Sequence, residues 1–441
     1  MSTRSIVLEN VIEILEKGRP LHLVLGESLA KLPKGENNDR AFISRLTRGV
    51  VERKLTLDEV INALASVKVN KQKPVVRNIL RCGVYQILYM NSVTDFAACD
   101  ESVKLAGKRG FRSLGGFING VLRNCCRRKE EFLNTDRDLS YKYSMPEWIV
   151  KDWTERFGNE RTEKAFRYFF EDNSISIRCN LSKTDVSSVE KTLCEINGLE
   201  FEKGFTGKCF KLKNCGNPEE LPGFREGLFV VQDESSVLAG LCLGLKSEGK
   251  SVKILDLCAA PGGKAIHAAD YPGTEVTACD LSESKCELIK EAVNRCGFTN
   301  VSVLQNDATV FRKEFEGIFD YIICDLPCSG LGIIGKKPDI KYNMTPENMK
   351  ELSALQRRIL DNGVKYLKKN GVMIFSTCTV DVEENEKNAD YIEKECGLRA
   401  ESLNGFIPES MWSGTTEKGY LQILPGEFGC DGFFISRFVK E

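Results

Sequence analysis

Two short stretches carry residues that could do covalent chemistry. Asp325-Leu326-Pro327-Cys328-Ser329-Gly330 closes one apolar run, and Ser376-Thr377-Cys378-Thr379 closes the next. If both runs are neighbouring strands, two thiols meet at one mouth of a sheet. A cytosine ring is a poor nucleophile at carbon 5. Addition of a thiolate at carbon 6 turns carbon 5 into an enamine carbon that can attack an electrophilic methyl group. A second group must then help remove the carbon 5 proton and release the enzyme. One nucleophilic and one assisting cysteine meet those needs. Any single cysteine among the 18 is more often small apolar filler. What singles out Cys328 and Cys378 is their place in Gly/Pro-rich and Ser/Thr-rich strand ends. A free thiol titrates near about 8.5, so Cys378 needs nearby positive charge or a helix N-terminus. Lys264 is one candidate; it can equally be a solvated side chain.

Upstream, Val252-Lys253-Ile254-Leu255-Asp256 runs into Leu257-Cys258-Ala259-Ala260-Pro261-Gly262-Gly263-Lys264. Glycines after a first strand let backbone approach a ligand closely, and open α/β sheets bind ligands at the carboxyl ends of their strands. Neither the dinucleotide fingerprint Gly-x-Gly-x-x-Gly nor a phosphate loop is present. Asp280 ends the next strand, where an acid can hydrogen-bond both hydroxyls of a ribose. Asn306-Asp307-Ala308 follows Val301-Ser302-Val303-Leu304 and is placed for an adenine amine. Acids at three successive strand ends fit a nucleoside ligand without phosphates, with Asp256 a candidate counter-charge for a sulfonium. The alternative is that these acids cap the helices that follow.

The elements that would position these residues fall into three parts. Residues Ser5 to Arg128 carry helical apolar stripes, such as Ile6, Val7, Val11, Ile14 and Leu15, and no strand alternation. From Ser144 to Gly223 the pattern is mixed: Ile175–Asn180 alternates like a strand, Asp185–Ile196 reads as a helix, and Lys208–Leu212 is extended. From Gly227 onward, the strands Val252–Asp256, Glu275–Asp280, Phe319–Asp325 and Val372–Ser376 alternate with helices such as Ser284–Cys296 and Glu347–Leu367, the βαβ signature of a mostly parallel sheet. The expected domains are therefore 1–140, all-α; 141–225, small α+β; and 226–441, α/β and Rossmann-like. A length of 441 residues suits about three domains. Net charge is −1, so any nucleic-acid surface must come from local clustering. No signal peptide, membrane span, disulfide framework or CxxC pair is evident, and only His22 and His267 are present. A cytoplasmic protein with reduced thiols and no metal is expected.

These motifs resemble those of the RsmB (Sun, or Fmu) family of ribosomal RNA cytosine-5 methyltransferases. The stretches around Asp256–Lys264, Asp325–Gly330 and Ser376–Cys378 are similar to its cofactor loop and its fourth and sixth motifs. Arg178-Cys179-Asn180 resembles a strand of its small RNA-contacting subdomain. Asp431-Gly432-Phe433-Phe434 resembles its last strand, and Gly227–Ser236 the segment leading into its catalytic domain. Asp39–Phe42 and Gly116–Arg123 resemble its N-terminal NusB-like domain. The resemblance implies S-adenosyl-L-methionine as cofactor and small-subunit (16S) ribosomal RNA as partner, with Cys378 the nucleophile and Cys328 assisting release. It implies that Asp325 holds the target cytosine beside Lys264, and that Asp280 and Asp307 contact the cofactor along with Cys258, Ala259, Ala260, Pro261, Gly262, Gly263, Lys264 and Asp325. A monomer is expected. Gly335, before Lys336-Lys337, departs from the family, where arginine is frequent; Lys336 and Lys337 could compensate for a lost phosphate contact.

From Ser102 to Lys129 there are eight basic residues (Lys104, Lys108, Arg109, Arg112, Arg123, Arg127, Arg128 and Lys129) and no acid. That stretch suits phosphates, or is a helix face balanced by acids elsewhere. Tyr342 and Phe229 are candidate stacking groups for a base that must leave its stack, or are core residues. Two other classes remain open: a NusB-like binding or assembly factor with a silent catalytic fold, and a DNA enzyme. The intact cysteines argue against the first. The second would place its nucleophile in the Pro-Cys motif, whereas Cys378 offers a separate one.

Overall fold

The structure is a computed structural model and describes residues 2–33, 35, 37–134, 136–171, 174–245 and 251–441. The chain divides into two compact units. The first is Met1–Phe170 with Ile334–Asn343, and the second is Glu171–Ile333 with Met344–Glu441.

The first unit is helical from Thr3–Leu15 through Asn159–Glu171, and the apolar stripes read over Ser5 to Arg128 lie within it. Its core gathers Val7, Val11, Leu46, Val50, Val60, Ile79 and Leu122 around the nearly enclosed helix Pro74–Tyr89, which carries proline in its first turn. Gly49 is required there: a Cβ would stand 2.0 Å from Tyr85 Cζ. The Thr94 hydroxyl caps Asp95–Lys108 by accepting from the Ala97 amide at 3.2 Å. The segment Ile334–Asn343 packs in this unit. Lys341 Nζ donates to the Glu52 carbonyl at 2.7 Å, and Arg48 donates to the Gly335 carbonyl. A Cβ on Gly335 would lie 3.0 Å from Phe169 Cα, so a side chain there would crowd that backbone.

In the second unit, strands β1 (Ile175–Cys179), β2 (Glu200–Lys203), β3 (Cys209–Lys213) and β4 (Phe229–Val231) form an antiparallel sheet in the order β2-β3-β1-β4. Strands β5 (Val252–Asp256), β6 (Thr274–Asp280), β7 (Val301–Gln305), β8 (Phe319–Asp325), β9 (Leu367–Thr377), β10 (Leu398–Ala400), β11 (Tyr420–Ile423) and β12 (Phe433–Lys440) form the second sheet. Its order is β10-β12-β9-β8-β5-β6-β7, with β11 also paired to β12. β5 to β9 run parallel and β12 is antiparallel. Glu283–Cys296 and Pro346–Tyr366 are the long helices read from the sequence.

Arg178 joins the two sheets. Its side chain is 1% exposed, donating to Asp270 Oδ2 at 3.0 Å and to Gln232 Oε1 at 3.0 Å. Asn180 Nδ2 donates to the Gly227 and Cys296 carbonyls. The Arg-Cys-Asn stretch is thus a tie within the unit, not a surface. Arg178→Met should destabilise the unit by about 3 kcal/mol, because Asp270 stays buried without its cation. Denaturant unfolding followed by circular dichroism measures this.

Candidate active site

The order of the parallel strands fixes where a crevice must open. From β5 the chain lays β6 and β7 to one side, then returns to add β8 and β9 on the other. Loops leaving β5 and β8 therefore diverge, and the gap lies at their carboxyl ends. Asp256 ends β5 and Asp325 ends β8. Lys264, in the first turn of helix Gly263–Ala269, reaches back so that Nζ donates to Asp325 Oδ2 at 2.6 Å and to Ser236 Oγ at 2.7 Å. Nζ also lies 5.2 Å from the centre of the Phe433 ring. Ser376 Oγ donates to Asp325 Oδ1 at 2.8 Å.

Register brings the two cysteines together. Asp325 pairs with Ser376 across β8 and β9, and the Leu326 amide extends the ladder to the Ser376 carbonyl at 3.1 Å. Cys328 and Cys378 each follow within a few residues of that pair, and their sulfurs lie 3.4 Å apart. Both are free and half-buried. The Cys378 sulfur beside it, with burial, holds the Cys328 thiol well above its ordinary pKa. The backbone behind the pair is fixed: the Gly332 amide donates to the Cys378 carbonyl at 3.0 Å, and a Cβ on Gly332 would meet the Gly432 carbonyl oxygen at 2.2 Å. Glu384 is fully buried and accepts from the Ser329 amide at 3.0 Å and from Gln356 Nε2 at 2.9 Å; Gln356 also donates to the Pro327 carbonyl at 2.8 Å. Burial pushes the Glu384 carboxyl up to about 7 against those donors.

On the β5–β7 side, the turn through Cys258, Ala259, Ala260, Pro261, Gly262 and Gly263 is held by the Ala259 amide to the Cys279 carbonyl at 2.8 Å and the Ala260 amide to Asp280 Oδ2 at 3.1 Å. Gly262, at φ 110°, sits where a side chain would be strained. Asp256 is fully buried, and neither carboxylate oxygen makes a well-aligned hydrogen bond, although the Cys258 amide lies close. Burial, with help from the Asp325 charge and against Lys264, pushes this carboxyl up to about 7. Asp280, 3% exposed, also takes the Leu281 amide and Lys285. At the end of β7, Asn306 Nδ2 is buried without a partner, while exposed Asp307 turns its Oδ1 back onto the Thr309 amide and hydroxyl.

Comparison with known proteins fits this geometry. Residues 242–439 match the family described as 16S rRNA methyltransferase RsmB/F, and residues 1–127 match the NusB family. The chain is 34% identical to the probable ribosomal RNA small subunit methyltransferase B of Bacillus subtilis (strain 168), covering 100% of this chain and 99% of that protein. The chain belongs to the ribosomal RNA small subunit methyltransferase B family. The Synechocystis member is 32% identical over 91% of each chain, and the Escherichia fergusonii member 30% identical over 99% of this chain and 98% of that one. Among solved structures, PH0851 superposes with a TM-score of 0.82 at 24% identity, over 100% of this chain and 99% of that one. NSun6 from Pyrococcus horikoshii with SFG gives 0.57 at 20% identity, over 67% of this chain and 98% of that one. Both likenesses speak to the fold. The protein is a methyltransferase of this family.

Sequence reasoning missed several groups around the family's motifs. Ser236 lies in a quoted motif, but nothing marked its hydroxyl as a partner of Lys264. Glu384 sits in the run Glu383-Glu384-Asn385-Glu386, which reads as solvated; its burial is a tertiary fact. Two readings left open by the sequence are decided by the structure. Phe229 is 1% exposed in the small-sheet core, and Tyr342 packs against Lys54 and Lys341 with its hydroxyl donating to the Glu52 carbonyl, so neither ring is a free stacking surface. The basic stretch is partly neutralised: Lys104 pairs with Asp100 and Glu101, Arg109 with Glu9, and Arg128 with Glu131. Among the described residues, no group of three or more His, Cys, Asp or Glu could hold a metal, and no helix is long and apolar enough to cross a membrane.

The Glu384 shift has a definite sign. A carboxyl raised from about 4.5 to about 7 by folding stabilises the fold when protonated, and that contribution is lost as pH rises between those values. Wild type should therefore lose stability from pH 5 to about 7 relative to Glu384→Gln. Thermal midpoints across that range read the difference.

Proposed function

We propose that the protein transfers a methyl group from S-adenosylmethionine to carbon 5 of a cytosine in small-subunit (16S) ribosomal RNA, with Cys378 as nucleophile and Cys328 resolving the adduct. The observation that carries the reading is the pair of free sulfurs 3.4 Å apart beside the Lys264–Asp325 ion pair at the carboxyl edge of the sheet. Family membership supports methyl transfer to ribosomal RNA.

The residues present fit the cofactor. Asp256 is a buried carboxyl lacking a well-aligned partner, which suits a ligand bearing a cation and hydrogen-bond donors. Asn306 offers an unpartnered amide at the next-but-one strand end. The Cys258–Gly263 turn would pass along the ligand, Asp280 would take the ribose hydroxyls, Asp307 would face the adenine, and Asp325 and Lys264 would close the methyl end. Asp280 already accepts from Ala260, Leu281 and Lys285, but a carboxylate has about four acceptor sites. When bound, the cofactor supplies an electrophilic methyl group.

The chain's own side chains then divide the work. Asp325, fixed by Lys264 and Ser376, orients the cytosine through its remaining lone pairs. Lys264, paired with Asp325, offsets charge that develops on the ring. The Cys378 thiolate forms a bond to carbon 6 while the carbon 5–carbon 6 π bond opens, leaving carbon 5 nucleophilic. After methylation, Cys328 Sγ assists removal of the carbon 5 proton. Those electrons re-form the double bond, and the carbon–sulfur bond breaks, returning the Cys378 thiolate.

Cys378→Ala should abolish labelled methyl transfer, and full residual turnover would remove the assignment. Cys328→Ala should accumulate a protein–RNA adduct that survives denaturing electrophoresis. Asp256 gives a pH signature. A bound sulfonium favours its carboxylate, so affinity for S-adenosylmethionine should rise with pH up to about 7 and then level off, with proton release on binding at lower pH. Calorimetry in buffers of different ionisation heat should show this for wild type and not for Asp256→Asn.

A further inference from the structure

The turn before β12 holds an exposed ring in a backbone conformation that side chains seldom adopt. Gly426, Phe428 and Gly429 have φ of 85°, 57° and 67°, so two of three left-handed positions are glycine and the third is a phenylalanine. Phe428 is 45% exposed and rests edge-on against Phe205, ring centres 6.4 Å apart at 61°. The turn is pinned: the Gly426 amide donates to the Cys430 carbonyl at 2.9 Å, the Leu424 amide to Glu427 Oε2 at 2.9 Å, and Lys211 Nζ to the Gly429 carbonyl at 2.9 Å. Within five residues the same chain enters the catalytic centre. The Asp431 amide donates to Asp233 Oδ1, the Gly432 amide to the Gly332 carbonyl behind Cys378, and Phe433 lies beside Lys264.

We propose that Phe428 is a stacking platform for an unpaired nucleotide of the RNA substrate that flanks the target cytosine. This rests on the reading of the substrate as RNA. Extruding a base leaves its neighbour without a stacking partner, and a rigid aromatic face on the rim restores that contact whatever the base. Lys211 of neighbouring β3, on the Gly429 carbonyl beside the ring, offers a positive charge to the backbone of that nucleotide.

The full-length protein with unmodified transcribed small-subunit ribosomal RNA tests this. Phe428→Gly suits the backbone, so thermal midpoint and S-adenosylmethionine affinity should stay unchanged while KM for RNA rises on the order of 10-fold or more; Phe428→Tyr should restore KM. Phe428→Trp should add emission that RNA quenches, read without reference to methyl transfer. A wild-type KM in Phe428→Gly, or RNA binding that leaves the new tryptophan unquenched, overturns the platform. Quenching without any methyl transfer by wild type overturns the proposed activity and leaves the platform standing.

Discussion

Lys264 donates to Asp325 across the point where the sheet reverses direction, and the site is organised around that ion pair. Strand order opens the crevice, but diverging loops alone would leave two acids, Asp256 and Asp325, facing each other with nothing between them. The pair fixes the end of β8, and Ser376 extends the tie to β9. With both strand ends held, the Leu326 and Gly332 amides bond across to the Ser376 and Cys378 carbonyls, and Cys328 lies against Cys378. The closeness of the two sulfurs is thus a consequence of register, not of flexible side chains finding each other.

The same crevice is electrostatically incomplete. Asp256, Asp280 and Asp325 converge while Lys264 and Lys285 supply the nearest cations. Asp256 answers by holding its proton up to about pH 7, and its oxygens have no well-aligned donor. Leaving a buried carboxyl in that condition costs stability that a packed apolar residue would not. A cationic ligand with hydrogen-bond donors relieves the cost, which is why a strained site of this kind points to what it binds. On the other flank, Glu384 trades its own ionisation for a rigid floor under Ser329 and Pro327.

Much of this was legible in the residues. Ile175–Cys179 alternates as the strand it is, and the apolar runs ending at Asp256, Asp280 and Asp325 end where strands β5, β6 and β8 end. The helices read as Ser284–Cys296 and Glu347–Leu367 are found at Glu283–Cys296 and Pro346–Tyr366, where Ser282 and Thr345 cap them by accepting from the amides three residues on. Strands of three or four residues such as β10 and β11 carry too little pattern to read and form because β12 offers them an edge. Phe229 and Tyr342 stayed open between stacking group and core for a related reason: an aromatic side chain has the same composition on a surface or in a core. Gly335 ran the other way, its departure from the family explained only by the closeness of Phe169.

The covalent step at Cys378 is the claim on which the chemistry stands. RNA carrying 5-fluorocytidine blocks the final elimination, because fluorine cannot leave carbon 5 as a proton does. Incubating the protein with S-adenosylmethionine and such RNA, then digesting and sequencing the cross-linked peptide by mass spectrometry, should place the nucleotide and one added methyl group on Cys378. A nucleotide found on Cys328, or no covalent product under conditions that methylate the unsubstituted RNA, would contradict it.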